Sequence, residues 1–467
     1  MSFSGLTDAL GARLFFWEGK QKAGSKTGGF SSISVDSRNI SPGGLFVALR
    51  GCSLDGHRFV DAAFKAGASA AIVDFSAMED AGLGLLGLAE KEGRVLIAVE
   101  DTLKALQNAA RIYLKQFSGL FRIGITGSSG KTTTKEIAAA IIRQEKSVVM
   151  NMGNLNSETG LPLSVFSVRD HHQVGVFEAA MNRQGEMADL AKVLNPQLAL
   201  ITNIGSAHIG ILGSRQAIAE EKKKIFSEFS GNNTALIPAN DEYRDFLAEG
   251  VKGRKVFYGA SSLPALGGIK DLGLEGTEII WEGKPVRFGL PGRFNLNNAL
   301  AAAAIALELG ISAASIREGI ESVKPLFGRG EILKGRTTVI RDCYNSSPES
   351  AEAALDFCDS LEWPGRRIYV IGSMLELGES SDEAHAALGR QLVSCRADMV
   401  FLFGEEIRPA AGVLENQRSY FYTCNKLELI KALDDFAKNG DLVLLKGSRG
   451  CELEDVTEVL LGGSNVS

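Results

Sequence analysis

Residues 121–136 read FRIGITGSSGKTTTKE, and their pattern predicts a strand, a tight turn and a helix in that order. An apolar run leads into a turn bounded by two glycines, and the helix-forming segment EIAAAIIRQ follows. In such a turn backbone N–H groups curl around phosphates, the start of the helix adds a favourable field, and a lysine supplies positive charge. A threonine hydroxyl at the helix start can bind Mg²⁺. The candidate phosphate-binding residues are Gly127, Ser128, Ser129, Gly130, Lys131, Thr132 and Thr133.

The loop departs from the usual pattern GxxxxGK[ST], because Ile125 occupies the position of its first glycine. The strand–turn–helix context is nevertheless the one that phosphate binding requires, and the alternative is an ordinary glycine turn with an exposed lysine. A guanine-reading NKxD motif is absent from the sequence, since Asn425-Lys426-Leu427 is followed by Glu428 and lies in a different α/β segment. The sequence therefore favours ATP over GTP.

The 467 residues predict two to four domains, at roughly 100–200 residues per domain. We place the divisions at 1–119, 120–323 and 324–467 because the pattern changes there. In the central segment four apolar runs, each followed by a helical pattern, predict a mostly parallel sheet with helices on both faces. Residues 268–290 alternate instead and predict an inserted β-hairpin, after which a helix ends at Gly310.

The two flanking segments also read as α/β. Apolar runs at 45–49, 70–74 and 95–99 and helical stretches near 58–66 and 101–117 predict an α/β domain at the amino-terminal end. The last segment predicts a second, Rossmann-like unit, in which five runs alternate with helices. The runs are TTVIRDC, RIYVIG, DMVFLFG, SYFYT and DLVLLKG, and the helices lie near 349–360, 381–394, 426–438 and 452–460.

Composition excludes several classes of protein. A formal net charge of −6 argues against nucleic-acid binding as the main activity. The six cysteines have no CxxC or zinc-ligand spacing, so we expect buried thiols in a reducing compartment. The first twenty residues lack a signal-peptide pattern, and the longest apolar run, Ala299 to Leu307, is too short to cross a bilayer. These features predict a cytoplasmic protein with no membrane insertion.

Eight further stretches follow one another along the chain: VDSRNISPGGLFVAL (35–49), NMGNLNSETGLPLSV (151–165), FEAAMNRQGEM (177–187), TNIGSAHIGILGS (202–214), PGRFNLNNALAA (291–302), DCYNSSPES (342–350), GSMLELGESSDEAH (372–385) and KGSRG (446–450). In their order and spacing they make nearly the whole chain resemble the Mur ligase family, the ATP-dependent amide-forming enzymes of peptidoglycan precursor synthesis.

The resemblance is strongest to the members that add D-alanyl-D-alanine to UDP-N-acetylmuramoyl-tripeptide. It implies a UDP-substrate domain, a central ATP-binding domain and a carboxy-terminal Rossmann-like domain, with ATP and Mg²⁺ as cofactors and a monomeric state. It is compatible with diaminopimelate or lysine as the third residue of the tripeptide. Two alternatives stay open: a family member that adds a single amino acid, although LELG stands where the diaminopimelate-adding members usually have DNPR, and a P-loop protein that binds nucleotide as a switch.

The resemblance implies metal-binding roles for three residues. Glu178 ends the run VGVFE, which places its carboxylate at the ligand-binding edge of the sheet. His208 follows the next strand, and a lone histidine is otherwise more often structural. In the run EEKKK, Lys222 matches the lysine that the family often carbamylates to hold a second Mg²⁺, whereas the alternative is a solvated helix face.

The resemblance also implies nucleotide and substrate contacts. Helix capping is the alternative for Asn295, and a surface ion pair is the alternative for Arg38. Ser346, Ser347 and Ser373 stand where the family usually has Ala, Asn and Asp, which leaves the details of these contacts open. The implied ATP contacts are Asn295, Asn298, Arg329, Asp342, Tyr344 and Asn345, and the implied UDP-substrate contacts are Ser37, Arg38, Asn154, Asn156 and Glu158.

Overall fold

The computed structural model describes Leu6, Leu10 and residues 12–15, 29–51, 54–80 and 82–463. Within these residues the chain forms an amino-terminal unit, a central unit with a small attached sheet, and a carboxy-terminal unit, each with its own β-sheet. Helices flank the three large sheets, so the α/β class predicted from the sequence is confirmed.

The amino-terminal unit has a five-stranded sheet of order β1-β5-β4-β3-β2, in which β1 is antiparallel to β5 and the other pairs are parallel. The three predicted runs form β3, β4 and β5, whereas the two outer strands are too short to give a sequence pattern. The strands are β1 (Arg13–Phe15), β2 (Ile33–Ser34), β3 (Leu45–Val47), β4 (Ala70–Asp74) and β5 (Val95–Val99). The helices are α1 (Val60–Lys65), α2 (Phe75–Met78), α3 (Leu85–Glu92) and α4 (Thr102–Lys115).

The central unit has a six-stranded, fully parallel sheet of order β11-β10-β9-β6-β8-β7. The strand that precedes the phosphate loop is β6, and β8 and β9 flank it, so the loops that leave these three strands meet at one edge. The strands are β6 (Phe121–Thr126), β7 (Val148–Met150), β8 (Val174–Glu178), β9 (Leu198–Ile201), β10 (Thr234–Pro238) and β11 (Arg254–Tyr258).

Helices cover both faces of this sheet. One face packs on α5, α11 and α12 and the other on α6, α7 and α9, which gives two separate apolar cores, one on each side. The helices are α5 (Lys131–Ile142), α6 (Gly160–Val165), α7 (Glu186–Leu194), α8 (Ile209–Leu212), α9 (Arg215–Lys223), α10 (Arg244–Ala248), α11 (Arg293–Glu308) and α12 (Ala313–Ser322).

The prediction of a single hairpin at 268–290 is wrong by one strand. The segment forms an antiparallel three-stranded sheet of β12 (Leu266–Asp271), β13 (Thr277–Trp281) and β14 (Lys284–Phe288). Strand β12 has a register irregularity between Leu266 and Gly268, and its glycines hide the alternating pattern. The aromatic side chains of β13 and β14 are buried in the core that also contains α11.

The carboxy-terminal unit has a six-stranded sheet of order β15-β16-β20-β17-β18-β19, in which only the pair of β15 and β16 is antiparallel. All five predicted runs form strands; β15 and α15 were not predicted. The strands are β15 (Glu331–Lys334), β16 (Thr338–Asp342), β17 (Arg367–Gly372), β18 (Met399–Phe403), β19 (Tyr420–Thr423) and β20 (Leu442–Lys446). The helices are α13 (Pro348–Ser360), α14 (Ser381–Ser394), α15 (Arg408–Leu414), α16 (Lys426–Phe436) and α17 (Thr457–Leu461).

The fold gives findings on helix length and on the burial of the cysteines. In the described part of the chain no helix combines the length and the apolar character needed to cross a membrane. The expectation of buried thiols holds for Cys343, Cys358 and Cys451, but Cys395 is half-buried and Cys424 is exposed. Cys52 lies outside the described residues.

Candidate active site

Two glycines shape the loop between β6 and α5. Gly127 and Gly130 have φ values of +147° and +77°, which L side chains rarely adopt. A Cβ atom on Gly127 would lie 1.8 Å from Oγ1 of Thr202, and one on Gly130 would lie 2.2 Å from Oδ1 of Asn298. Both positions therefore require glycine, and the loop turns as the sequence predicted.

The loop that follows β9 holds the phosphate loop in place. The backbone N–H of Ser128 donates to the carbonyl of Asn203 (3.0 Å), and the N–H of Ser129 donates to its side-chain Oδ1 (3.1 Å). The hydroxyl of Thr202 donates to the carbonyl of Ser129 (2.6 Å). Sequence reasoning missed Asn203, and its position two residues after a buried strand was the available signal.

Lys131 lies at the first position of α5. Its Nζ donates to the carbonyl oxygens of Gly127 (2.9 Å) and Ser128 (3.3 Å). Burial lowers the pKa of Lys131, the nearby Glu178 opposes this change, and Arg329 from the carboxy-terminal unit adds to it. The amine thus sits in a site that favours an anionic partner.

A cluster of oxygen atoms lies beside the loop. The hydroxyl of Thr132 donates to Oε2 of Glu178 (2.7 Å), and Nδ2 of Asn156 donates to Oε1 (2.6 Å). The carboxylate is 1% exposed and ends β8, while two hydrogen bonds pair the backbone of Glu178 with the side chain of Asn151. The structure thus brings Thr132, Asn156 and Glu178 together.

This donor set fits a hard divalent cation. Mg²⁺ is usually held by one or two protein oxygens together with substrate phosphates, rather than by an all-protein cage. No cluster of three or more His, Cys, Asp or Glu in the described ranges is arranged to hold a metal by itself. The hydroxyl of Thr132 and the carboxylate of Glu178 are oxygen ligands of the kind that Mg²⁺ uses together with phosphates.

His208 contacts the carboxy-terminal unit. It directly precedes α8 with a left-handed backbone (φ +66°), and its Nδ1 lies 2.9 Å from Oε2 of Glu376. The direct polar contact of this ring is therefore with Glu376 rather than with Glu178.

Lys222 is 1% exposed, although it stands in a run of charged residues. Among the described residues its Nζ has no hydrogen-bond or ion-pair partner. Burial holds the pKa of Lys222 well below its ordinary value, Lys131 lowers it further, and Glu221 opposes both. The alternative of a solvated helix face is wrong for Lys222, because Glu220 is the only exposed residue in the run 220–224.

Glu221, beside this lysine, is also buried. Its Oε1 accepts from the backbone N–H groups of Gly185 (2.9 Å) and Met187 (3.0 Å), and its Oε2 pairs with Lys224 (2.6 Å). Glu221 therefore binds the start of α7 and is engaged in structural contacts.

The two asparagines of α11 differ in their contacts. Oδ1 of Asn298 accepts from the hydroxyl of Thr134 (3.3 Å) and lies against the phosphate loop. Asn295 does not cap the helix, because Gly292 precedes the first helical residue. Instead the Nδ2 of Asn295 donates to the carbonyl of Pro291 (2.8 Å), and the side chain is buried.

Four of the residues expected to contact ATP lie around the start of the carboxy-terminal unit: Arg329, Asp342, Tyr344 and Asn345. The guanidinium of Arg329 stacks 4.1 Å from the centre of the Tyr344 ring. The buried Nζ of Lys446 lies 3.3 Å from Oδ2 of Asp342 and donates to the carbonyl of Asn345 (2.6 Å). Lys446 was missed by sequence reasoning, although it ends a buried strand.

The three serines that depart from the family pattern are buried. The hydroxyl of Ser347 accepts from the N–H of Ser350 (3.4 Å) and so caps α13. The hydroxyls of Ser346 and Ser373 have no hydrogen-bond partner among the described residues.

The residues proposed to face the UDP substrate lie in two places. Ser37 and Arg38 lie in a 3₁₀ turn. The guanidinium of Arg38 forms a bidentate ion pair with the carboxylate of Asp36. The hydrogen bonds from Arg38 lower the pKa of Asp36 to about 2. The surface ion-pair alternative thus describes the contact of Arg38. Asn154, Asn156 and Glu158 lie between β7 and α6, where Glu158 pairs with Arg183.

Three family models match successive parts of the chain. The model of the Mur ligase family catalytic domain matches residues 30–113, the Mur ligase middle domain matches 125–306, and the Mur ligase glutamate ligase domain matches 328–449. The UDP-N-acetylmuramoyl-tripeptide–D-alanyl-D-alanine ligase of Treponema pallidum is 43% identical over 435 residues, which cover 92% of this chain and 94% of that protein. The Bacillus subtilis enzyme of the same name is 35% identical, with 92% and 93% covered.

Two solved structures are similar to this chain over most of its length. The crystal structure of MurF from Acinetobacter baumannii matches with a TM-score of 0.86 at 28% identity and covers 99% of this chain and 98% of that one. MurF ligase from Thermotoga maritima, crystallised in complex with ADP, matches with a TM-score of 0.78 at 29% identity and covers 92% and 97%.

Proposed function

The chain belongs to the Mur ligase family, and on that premise we infer that it is an ATP-dependent ligase of peptidoglycan synthesis. It adds D-alanyl-D-alanine to UDP-N-acetylmuramoyl-tripeptide, which gives the pentapeptide precursor. One observation carries this conclusion: a phosphate loop with Lys131, and with Glu178 hydrogen-bonded to Thr132, lies in a chain that is similar to such a ligase over 92% of its residues.

The ligation proceeds in two steps. The terminal carboxylate of the tripeptide attacks the γ-phosphate of ATP, which gives an acyl phosphate and ADP. The amine of D-alanyl-D-alanine then attacks the acyl carbon, phosphate leaves with its bonding electron pair, and the nitrogen releases one proton. Phosphoryl transfer asks a protein mainly for positioning and charge neutralisation. We propose that Lys131 and the loop N–H groups that do not donate to Asn203 hold the phosphates and stabilise the negative charge of the transition state.

We propose that Thr132, Glu178, His208 and Lys222 serve a magnesium site. Thr132 and Glu178 offer a hydroxyl and a buried carboxylate beside the loop. Lys222 can contribute only as a carbamate, and its burial together with the nearby Lys131 favours the uncharged amine that carbamylation needs. Mg²⁺ would neutralise charge on the phosphates.

The remaining assignments follow the family pattern. We propose that Asn295, Asn298, Arg329, Asp342, Tyr344 and Asn345 contact ATP together with the phosphate loop. We propose that Ser37, Arg38, Asn154, Asn156 and Glu158 face the UDP substrate. The ion pair of Arg38 with Asp36 would then have to open or to orient the guanidinium for the diphosphate.

We propose that the domains divide at 119/120 and 323/324 and that the enzyme works as a cytoplasmic monomer. The boundaries are supported by the sheets, since the first ends at Val99, the central one begins at Phe121 and the last begins at Glu331.

The product of the purified enzyme tests the function. With ATP, magnesium and UDP-N-acetylmuramoyl-tripeptide, we expect mass spectrometry to show the pentapeptide when D-alanyl-D-alanine is added and no product with single amino acids. A family member of the single-amino-acid type would give the opposite pattern, and a nucleotide switch would give neither product.

Magnesium dependence tests the metal residues. Glu178→Ala and His208→Ala should each raise the magnesium concentration needed for half-maximal activity several-fold, because each removes a group proposed to hold the ion. The measurement is a magnesium titration at saturating ATP, with the exposed Glu220→Ala as the control for lost charge. Titrations of both variants that overlay that of the parent enzyme would make Glu178 and His208 structural.

A further inference from the structure

We propose that Glu349 is a positioning residue of the ligase, which fixes the carboxy-terminal unit against the phosphate loop. Glu349 lies in the first turn of α13, outside the site residues assigned above. Its Oε1 accepts two hydrogen bonds from Ser206, one from the backbone N–H (2.7 Å) and one from the hydroxyl (2.6 Å). Ser206 belongs to residues 202–210, which follow β9 of the central unit and include the first two residues of α8. We call this segment the bridging loop.

The bridging loop is bound to the phosphate loop on its other side. The N–H of Gly205 donates to the hydroxyl of Ser128 (2.8 Å), and that hydroxyl donates to the carbonyl of Gly205 (3.2 Å). Gly205 and Ser206 are neighbours, so one peptide unit joins a phosphate-loop serine to a carboxylate of the other unit. A Cβ atom on Gly205 would lie 3.1 Å from Cδ of Glu349, which shows how closely the carboxylate approaches.

A second contact further along the bridging loop keeps the two units in register. The N–H of Gly210 donates to the carbonyl of Glu376 (3.3 Å), and a Cβ atom on Gly210 would lie 2.3 Å from the backbone nitrogen of Gly378. The side chain of Ile209 packs against the apolar cores of both units. The bridging loop thus contacts both units, and Glu349 binds it at Ser206, the neighbour of the Gly205 that bonds to the phosphate loop.

The position of Glu349 along the chain gives this contact a consequence. Residues 342–345, proposed above to bind nucleotide, end only four residues before Glu349, so this inference rests on the proposed function. Because Glu349 anchors that segment to the phosphate loop, its loss should separate the two halves of the nucleotide site. We expect lower nucleotide affinity and lower kcat, with the KM for the UDP-tripeptide unchanged.

Three substitutions separate this role from helix stabilisation. Glu349→Asp keeps a negative charge in the first turn, where it favours the helix, but it withdraws the carboxylate from Ser206. Glu349→Gln keeps the reach and one neutral acceptor but loses the charge. Glu349→Ala loses both. Glu349 is exposed, so these variants should fold, and Glu352→Ala on the same helix is the matched control because Glu352 is also exposed.

The experiment measures the dissociation constant of ADP by calorimetry and the steady-state constants of ligation. Positioning predicts about tenfold weaker ADP binding in both the Ala and the Asp variants, an intermediate value for Gln, and a parent-like value for Glu352→Ala. Parent-like ADP binding in the Asp variant, or an equal loss in Glu352→Ala, would overturn the proposal. An equal rise in the KM for the UDP-tripeptide would also overturn it. ADP binding needs no ligation, so the series remains decisive even if the parent enzyme fails to make the pentapeptide.

Discussion

Replacing Lys131 with alanine should lower kcat for ligation by about 10²–10³-fold while the fold is retained. The amine lies at the start of α5 and contacts the carbonyl oxygens of Gly127 and Ser128, in the loop that we propose to hold the phosphates. Charge develops on the transferring phosphoryl group, and a preorganised cation stabilises the transition state more than the bound substrate.

The Lys131→Ala effect is measured as steady-state phosphate release with all substrates saturating. Arg143→Ala is the matched control, because it removes an exposed positive charge at the other end of the same helix and should leave kcat unchanged. An unchanged kcat for Lys131→Ala would refute the role of this lysine, provided that circular dichroism shows the same fold for both variants.

Replacing Lys222 with alanine should give the second largest effect, a loss of activity that a small carboxylate partly restores. Burial lowers the pKa of this amine well below its ordinary value, which favours the uncharged form that reacts with carbon dioxide. The resulting carbamate is an anion with two oxygens, the ligands that a hard cation prefers. Acetate or formate in the space left by the side chain would supply a similar anion.

Two measurements complete the Lys222 test. Activity of the parent enzyme should fall when carbon dioxide is removed from the buffer and return when bicarbonate is added. Lys223→Ala is the control, because Nζ of Lys223 donates to the carbonyl of Phe246 and lies over its ring. Full activity of Lys222→Ala would exclude the carbamate.

Much of the fold is readable from the sequence because buried parallel strands are continuous apolar runs. Strands β6, β8 and β9 were predicted for this reason, and their shared edge followed from the alternation of strands and helices. The strands that the sequence did not show are short, irregular or, like β11 at the edge of the central sheet, largely exposed. Strand β2 has two residues, and β12 contains glycines and a shifted register, so neither gives a periodic signal.

The candidate site divides in the same way. The phosphate loop and Glu178 follow local rules, because a loop after a buried strand projects to the ligand edge of the sheet. The contacts of Asn203, Lys446 and Glu349 join residues from about 74 to 143 positions apart, and no local pattern records such distances. Burial is equally non-local: Lys222 lies in a charged run, yet the surrounding elements enclose it.

In the proposed ligase, ATP cleavage is coupled to the joining of two substrates. This coupling is measured as phosphate release from ATP with both substrates present and with each one omitted. We expect rapid release only when UDP-N-acetylmuramoyl-tripeptide and D-alanyl-D-alanine are both present, with one phosphate released for each pentapeptide formed. Release at the same rate with either substrate missing would contradict it.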